Sequence, residues 1–216
     1  MSNLNNQIWA LVTVALLSAA PVANAQQLCT NSTGTQNGFY YTFWKDNGDA
    51  CMTLGTGGNY TSSWTNSNNW VGGKGWKPGA RRTVNYTGSY NASGTSYLAL
   101  YGWTTSPLIE YYIVENWINY NPSSGATSLG TINVDGSTYT LLRTLREQQP
   151  SIDGTQTFYQ YWSVRTQKRT SGTITVANHF DAWASEGMNM GSLYEVSMTI
   201  EGYQSSGSAD VSMSIH

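Results

Sequence analysis

Short stretches in which apolar and polar residues alternate make up most of the chain after position 25. Successive side chains of a β-strand point to opposite faces, so alternation among Tyr, Trp, Val, Ile and Thr predicts strands. The predicted strands cover residues 38–44, 51–54, 59–64, 69–72, 83–90, 96–103, 107–117, 132–134, 137–145, 157–164, 172–175, 193–203 and 209–215. Clusters of Gly, Asn and Ser separate them, and Asp135-Gly136 is typical of a hairpin turn. This pattern predicts an all-β sandwich or barrel.

One segment, residues 175–186, follows helical spacing instead. It places Val176, Phe180, Trp183 and Ala184 on a single stripe. The Thr at its start and the Gly that follows it suit the two ends of a helix. We therefore predict one helix, packed on the outside of a sheet.

The first 25 residues carry no charged side chain, and a nearly continuous apolar run covers residues 8–22. The run is followed by Ala23-Asn24-Ala25, a cleavage pattern that predicts a secretory signal peptide over residues 1–25, cut at Ala25-Gln26. The usual Lys or Arg before the run is missing. A transmembrane anchor is the alternative, but the run is short for a span. We expect a secreted protein whose residues 26–216 form one domain, since neither a linker nor a repeat interrupts them.

The composition is poor in charge and rich in aromatic rings. Charged residues make up 10% of the chain, the net charge is −2, and there are 9 Trp and 15 Tyr. No basic patch of the kind that nucleic acid requires is present, nor a polybasic membrane anchor. Aromatic rings with many neutral hydrogen-bonding groups suit a neutral polyhydroxylated ligand. A polar β protein with a Tyr-rich sheet has the same composition, so composition alone leaves both readings open.

The two cysteines, Cys29 and Cys51, lie close together near the start of the predicted domain. In an exported protein such a pair predicts one disulfide. Two unpaired buried thiols are the alternative. The spacing fits neither a zinc site nor a redox motif.

Other motifs carry little chemistry. The chain has two histidines, His179 in the predicted helix and His216 at the end, which argues against a Ser-His-Asp site or a His-based metal site. We expect no metal and no cofactor. The string Gly72-Gly73-Lys74-Gly75 lacks the spacing of a phosphate-binding loop, and we predict a turn there.

Two carboxylates stand out from the rest. Glu110 and Glu201 each lie inside a strand of aromatic and β-branched residues, where an ionisable group is costly unless something uses or satisfies it. A single strand carboxylate is usually solvated or paired. Two of them in a chain poor in histidine are the set that glycoside hydrolysis needs.

Several strings around these residues carry a resemblance that covers nearly all of residues 26–216. The nucleophile strand of family 11 glycoside hydrolases, the small endo-β-1,4-xylanases, is similar to Glu110-Tyr-Tyr-Ile-Val-Glu-Asn-Trp117, and their acid/base strand is similar to Glu201-Gly-Tyr-Gln-Ser-Ser-Gly-Ser208. Further matching strings cover residues 71–76, 120–125, 149–152, 158–164 and 177–180.

The resemblance implies a β-jelly roll of two curved, packed antiparallel sheets with a single α-helix. It implies a monomer that hydrolyses xylan by a retaining mechanism, with Glu110 as nucleophile and Glu201 as proton donor. The expected substrate-binding or supporting residues are Trp44, Asn69, Tyr97, Tyr101, Trp103, Tyr112, Arg146, Pro150, Ser151, Ile152, Gln160, Trp162 and Tyr203. Two positions, Ile118 and Glu195, depart from the residues common in the family, and neither is expected to touch the chemistry.

Alternation along the strands supports this assignment independently. The expected cleft residues on each strand share a face, as Glu110 does with Tyr112 and Glu201 with Tyr203, whereas Glu115 has the opposite parity and should point away. Two other functions stay open. One is a jelly-roll β-1,4-glucanase, and the other is a non-catalytic carbohydrate-binding module, which has no need of paired carboxylates.

Overall fold

The computed structural model describes residues 25–216, so the predicted signal peptide lies almost wholly outside the described part. The strands are β1 Gln26–Leu28, β2 Ser32–Gln36, β3 Phe39–Lys45, β4 Asp49–Leu54, β5 Tyr60–Trp76, β6 Thr83–Thr105, β7 Ile109–Ile118, β8 Ser128–Val134, β9 Ser137–Ser151, β10 Gly154–Arg165, β11 Ser171–Thr175 and β12 Ser192–Ile215. A 3₁₀ turn covers Pro122–Ser124, and the helix α1 covers Val176–Ser185. Within residues 25–216 no helix is both long enough and apolar enough to cross a bilayer.

The twelve strands form one hydrogen-bonded sheet in the order β1-β4-β5-β12-β6-β7-β10-β9-β8, with β3 also on β5, β2 on β3 and β11 on β6. All pairs are antiparallel except β7 with β10, which is parallel. The sheet curls into two layers because β5, β6 and β12 run through both. The first part of β5 pairs with β4 and its second part with β3; likewise β6 pairs first with β11 and then with β7. The predicted jelly roll is confirmed.

The three long strands were each predicted as two. The residues between the predicted halves are turn formers, and the structure uses them as bends between the layers. Asn66, Gly94 and Gln204 have positive φ angles, and the pairing of β12 shifts register near Ser205. Bulges and positive φ angles bend a strand without ending it, which is why turn chemistry alone misplaced these boundaries.

The string Gly72-Gly73-Lys74-Gly75 lies inside β5, so the prediction of a turn was wrong. A Cβ atom built at Gly73 would lie 2.0 Å from the Met198 carbonyl oxygen, and one at Gly75 would lie 1.9 Å from that of Val196. Glycine is required here by the close approach of β12. The Lys74 side chain points the other way, into the interior, where its ammonium group donates to Gln36 and to two loop carbonyls.

Two apolar clusters occupy the two sides of the inner layer, which we define as β2, β3, the second half of β5, the first half of β12, the second half of β6, and β7 to β10. The main core lies between this layer and the other one and extends under α1. A second cluster on the concave side contains Tyr101, Trp103, Tyr112 and Trp162. The alternating faces of the strands therefore separate a structural core from a cleft.

The helix buries Val176, His179, Phe180 and Trp183. Ala184 is exposed, so its place on the predicted buried stripe was wrong, and His179 takes part in the packing instead. Thr175 precedes the helix but does not cap it through its side chain. Its backbone N–H and its hydroxyl both donate to the carboxylate of Asp135 in the β8–β9 turn. This contact ties the start of the helix to the turn.

A disulfide joins Cys29 to Cys51, with the sulfur atoms 2.01 Å apart. It connects the segment after β1 to the centre of β4. β1 lies at one edge of the sheet, where it pairs with β4, and a covalent link restricts the motion of both segments in the unfolded chain.

Glu115 is fully buried on the core side of β7, as its parity predicted. Its carboxylate accepts hydrogen bonds from the hydroxyls of Tyr86 at 2.6 Å and Tyr139 at 2.5 Å, and it forms an ion pair with Arg169. A buried charge with a partner and further donors is satisfied. Glu115 therefore acts in the packing and not in the cleft.

The His179 ring packs edge-on against Tyr139, and neither ring nitrogen has a hydrogen-bond partner within the described residues. Burial, together with the charges of Arg169 and Arg165, lowers the pKa of His179 to about 3. The unfolded chain takes up a proton at this residue near pH 6.5, whereas the folded protein takes it up only near pH 3. Above pH 6.5 the histidine is neutral in both states and does not oppose folding. As the pH falls below 6.5, proton uptake by the unfolded chain lowers the stability of the folded protein.

We predict that this histidine costs up to about 1.4 kcal/mol of unfolding free energy for each pH unit between 6.5 and 3. His179→Phe keeps a ring against Tyr139 and removes the titration. Urea unfolding of this variant between pH 7 and 4 should show a shallower loss of stability than wild type. His216→Phe, which changes an exposed histidine, serves as the control. Parallel curves for wild type and His179→Phe would contradict the assignment.

Candidate active site

An open cleft with a volume of about 710 Å³ runs over the concave side of the inner layer. Its floor comes from β12, β6, β7 and β10, and β3 with the end of β5 forms one wall. The hairpin of β9 and β10 covers it from the other side with Pro150, Ser151 and Ile152. Both predicted carboxylates, Glu110 and Glu201, line this cleft.

Glu110 on β7 is 8% exposed and accepts three hydrogen bonds. Its Oε1 accepts from the hydroxyls of Tyr101 at 2.9 Å and Tyr112 at 3.1 Å, and its Oε2 accepts from the Gln160 amide at 2.6 Å. Burial raises the pKa of Glu110, and these three donors and the charge of Arg146 oppose that effect. Three donors aimed at one carboxylate stabilise its ionised form.

The donors to Glu110 are themselves held in place. The Trp103 indole N–H donates to the Tyr101 hydroxyl at 2.6 Å, which directs the hydroxyl proton of Tyr101 to the carboxylate. Thr144 donates to the Gln160 carbonyl oxygen at 3.0 Å, and this bond fixes which end of the amide faces Glu110. Register places Gln160 directly beside Glu110 in the parallel pair of β7 and β10.

Glu201 on β12 has a different environment. Its Oε2 is buried and has no hydrogen-bond partner within the described residues. The Tyr112 hydroxyl lies beside this carboxyl and lowers its pKa, although its directed hydrogen bond goes to Glu110. Burial and the negative charge of Glu110 dominate, and together they raise the pKa of Glu201 to about 8. Glu201 is therefore protonated at neutral pH.

The cleft thus holds two carboxyl groups whose environments push their protonation states apart. One accepts three hydrogen bonds and is stabilised as the anion, and the other has a bare oxygen and is stabilised as the acid. The Tyr112 phenol lies beside both. Such a pair can present a nucleophile and a proton donor to the same bond.

Most of the predicted supporting residues line the cleft with the two carboxylates: Trp44, Asn69, Tyr101, Trp103, Tyr112, Arg146, Pro150, Ser151, Ile152, Gln160 and Tyr203. Tyr97 and Trp162 do not. Trp162 stacks on Tyr112 with the ring centroids 4.1 Å apart, and Tyr97 packs edge-on against Trp162. These two buried rings support Tyr112 and do not face the open cleft.

Asn69 lies at the cleft wall, opposite Tyr203 in the pairing of β5 and β12. Its backbone N–H donates to Asp46 at 2.9 Å. Its side chain makes no hydrogen bond to Glu201 or to any other residue between positions 25 and 216. Asn69 therefore lines the cleft, as predicted, without a hydrogen bond to Glu201.

Sequence reasoning missed a second polar group, at one end of the cleft. It consists of Tyr40, Lys77, Tyr194 and Glu195, all of which line the cleft. Glu195 was noted as a departure from the residues common in the family and was not expected to touch the chemistry. Parity offered a signal, because Glu195 and Glu201 are six residues apart on one strand and so share a face.

A family model described as glycosyl hydrolases family 11 matches residues 36–212. The bifunctional xylanase/xylan deacetylase of Cellvibrio japonicus is 58% identical over 93% of this chain and 32% of its own length. Endo-1,4-beta-xylanase Xyn11B of the same organism is 54% identical over 98% of this chain and 62% of its own length. Endo-1,4-beta-xylanase 11A of Botryotinia fuckeliana is 54% identical over 91% of both chains. The chain thus spans about a third of the first relative and nearly all of the third.

We predict that Glu110→Gln lowers the pKa of Glu201, because the variant removes the charge that helps to raise it to about 8. Carbon-13 NMR of glutamate-labelled protein measures the titration of each carboxyl carbon directly. Glu147→Gln, which removes an exposed carboxylate outside the cleft, is the matched control and should leave Glu201 unchanged. An unaltered Glu201 titration in Glu110→Gln would show that the two groups do not interact.

Proposed function

The chain belongs to glycosyl hydrolase family 11, and on that premise we propose that it is an endo-1,4-β-xylanase acting with retention of configuration. Glu110 is the nucleophile and Glu201 the proton donor. The substrate is the β-1,4-linked backbone of xylan, in keeping with the names of its relatives.

The observation that carries the proposal is the opposite environment of the two carboxyl groups in one cleft. A retaining glycosidase needs an anion and an acid about 5–5.5 Å apart, on the two sides of the scissile bond. The Tyr112 hydroxyl donates a hydrogen bond to Glu110 and lies beside Glu201. Three donors favour the anion at Glu110, and burial beside that anion favours the acid at Glu201.

In the first step the Glu110 carboxylate attacks the anomeric carbon while Glu201 donates its proton to the glycosidic oxygen. The glycosidic bond breaks, the leaving chain departs with a hydroxyl end, and an ester joins the sugar to Glu110. The hydrogen bonds from Tyr101 and Gln160 hold the attacking oxygens in a fixed position. Pre-set geometry of this kind lowers the entropic cost of the attack.

The ester intermediate changes the electrostatics of its partner. Glu110 no longer carries a negative charge, so one of the two causes that raise the pKa of Glu201 disappears. Glu201, now deprotonated, takes a proton from a water molecule, whose oxygen attacks the anomeric carbon and releases the sugar from Glu110. Each residue returns to its starting state, and the configuration is retained.

The remaining cleft residues suit a polymer of sugar rings. Trp44 presents an aromatic face in the wall, and the hairpin tip of Pro150, Ser151 and Ile152 covers the opposite side. Aromatic faces pack well against the C–H faces of sugars, as they do against other apolar surfaces. The cleft is open along its length, which suits cutting inside a chain. Every one of these residues comes from one chain, so we propose that the monomer is active.

We also propose that the protein is exported and that residues 1–25 are removed. The sequence pattern of this segment supports the proposal, and so does the disulfide between Cys29 and Cys51, because such bonds persist in oxidising compartments. N-terminal sequencing of protein recovered from the culture medium tests it. A mature end other than Gln26 would change the assigned cleavage site.

We predict that the wild type releases reducing sugar from xylan and little or none from carboxymethylcellulose. Glu110→Gln and Glu201→Gln should each lower release from xylan on the order of a thousandfold. Glu186→Gln, an exposed glutamate near the helix end, is the control and should match wild type.

The outcomes separate the alternatives. Equal release from carboxymethylcellulose would favour the glucanase, and binding of xylan without release would favour the binding module. Full activity in Glu110→Gln would overturn its role as nucleophile.

A further inference from the structure

Glu195 is a second buried carboxylate in the cleft wall, separate from the catalytic pair. It lies on β12, six residues before Glu201, and is 5% exposed. The Tyr40 hydroxyl of β3 donates to its Oε2. Its backbone carbonyl accepts from the Tyr111 hydroxyl at 3.0 Å, which anchors the main chain at this point. The carboxylate is therefore held in one position.

Between Tyr40 and Glu195, β5 presents a glycine to the cleft side. Tyr40 pairs with Gly75 of β5, and Gly75 pairs with Ser197 of β12. Since Gly75 adds nothing above the sheet, Tyr40 reaches over β5 to Glu195. The glycine that permits close packing of β12 also leaves this end of the cleft open.

One oxygen of Glu195 is free to bind a ligand. Oε2 is taken by Tyr40, whereas Oε1 has no hydrogen bond within residues 25–216. Unlike Oε2 of Glu201, this oxygen is not sealed from solvent, and the residue lines the cleft. A ligand that displaces water from this oxygen must supply a donor in its place, because an acceptor left both desolvated and unpaired costs free energy.

Lys77 stabilises the charge of this group from outside. Its ammonium nitrogen lies 3.7 Å from the centre of the Tyr194 ring and 5.5 Å from that of Tyr40. Burial raises the pKa of Glu195, and the Tyr40 hydrogen bond and the Lys77 charge oppose this. The lysine is held by the two rings and is not in direct contact with the carboxylate.

Glu195 lies in the same cross-strand row as the proposed nucleophile. It pairs with Trp103 of β6, which pairs with Glu110 of β7. Two strand spacings separate the Cα atoms of Glu195 and Glu110 by about 10 Å. Both residues line the same cleft, so a sugar chain bound at Glu110 can reach Glu195.

We propose that Glu195 is a specificity-determining residue that accepts a hydrogen bond from a free hydroxyl of a xylose unit at this end of the cleft. It thereby excludes units on which that hydroxyl carries an acetyl or arabinosyl group. The inference rests on the proposed xylanase function and names a feature of its substrate. Substitution of the hydroxyl removes the donor and leaves the carboxylate unpaired, which is how a polar site rejects an analogue strongly.

The first test is kinetic, on unsubstituted xylohexaose. Glu195→Ala should raise KM about tenfold or more, since a hydrogen bond to a charged group is lost, while kcat stays within about twofold. Glu195→Gln keeps an acceptor without the charge, so its KM should lie between those of wild type and Glu195→Ala. Tyr40→Phe should also raise KM, by less, because the carboxylate loses its anchor. Glu186→Gln is the charge-matched control and should equal wild type.

The second test uses xylo-oligosaccharides that carry one arabinosyl group at a defined unit. Wild-type products should never come from a cut that places the decorated unit beside Glu195. Glu195→Ala should gain that cut, because no carboxylate remains to be left unpaired. A merely structural role for Glu195 predicts slower cutting at all bonds and no new product.

The outcomes are separable from those of the proposed function. If wild type does not hydrolyse xylohexaose, the xylanase function fails. If wild type is active and Glu195→Ala, folded by circular dichroism, keeps the wild-type KM and product pattern, only the specificity role of Glu195 is overturned. Should Glu195→Ala fail to fold, an unchanged KM in both Glu195→Gln and Tyr40→Phe overturns it equally.

Discussion

An ionisable carboxyl group set among aromatic rings needs donors of its own, and much of the inner layer is arranged to supply them to Glu110. Tyr101 comes from the strand on one side and Gln160 from the strand on the other, and each is held by a further hydrogen bond. The stacked pair of Tyr112 and Trp162 closes the arrangement from behind. Burial of Glu201 and the charge of this anion together raise the pKa of Glu201 and keep it protonated. Side-chain packing, strand register and charge therefore all act on Glu110.

The curl of the sheet is as necessary as the donors. Glu201 pairs with Tyr97 on β6, and Glu110 pairs with Trp103 on the same strand, six residues away. In a flat sheet this offset would separate the two carboxylates by about 20 Å along the strands. They nevertheless interact strongly enough for one to raise the pKa of the other. Strand twist lets side chains that are offset along the strands approach one another on the concave side.

Sequence reasoning was accurate for properties that depend on a single strand, such as the face on which a residue lies. Period-2 alternation placed Glu110 with Tyr112 on the cleft side and Glu115 on the core side, because the face of a residue depends only on its parity. It was inaccurate for properties that depend on several strands, such as where a long strand ends. The long strands were cut at Asn66, Gly94 and Gln204, since a bend between layers and a turn use the same residues.

Residues whose role depends on a distant neighbour were the hardest to predict. Gly75 is a glycine because of β12, and Glu195 faces the cleft beside Tyr40, which is 155 positions away. Tyr97 and Trp162 have the correct parity but lie behind another ring. The alternation along a strand tells on which face of the sheet a residue lies. Whether its side chain reaches the surface of the cleft depends on the packing of the whole layer.

The ladder between β9 and β10 is interrupted on both strands at one level. Pairing skips between Gln156 and Phe158 on β10, and Gln148 on β9 has a φ angle of 49°. Above this level lies the tip that covers the cleft, and below it lies the pair of Thr144 and Gln160 that fixes Glu110. An irregularity of this kind bends a hairpin without ending its pairing. One pair of strands can therefore supply both the cover of the cleft and, further along, the support of Glu110.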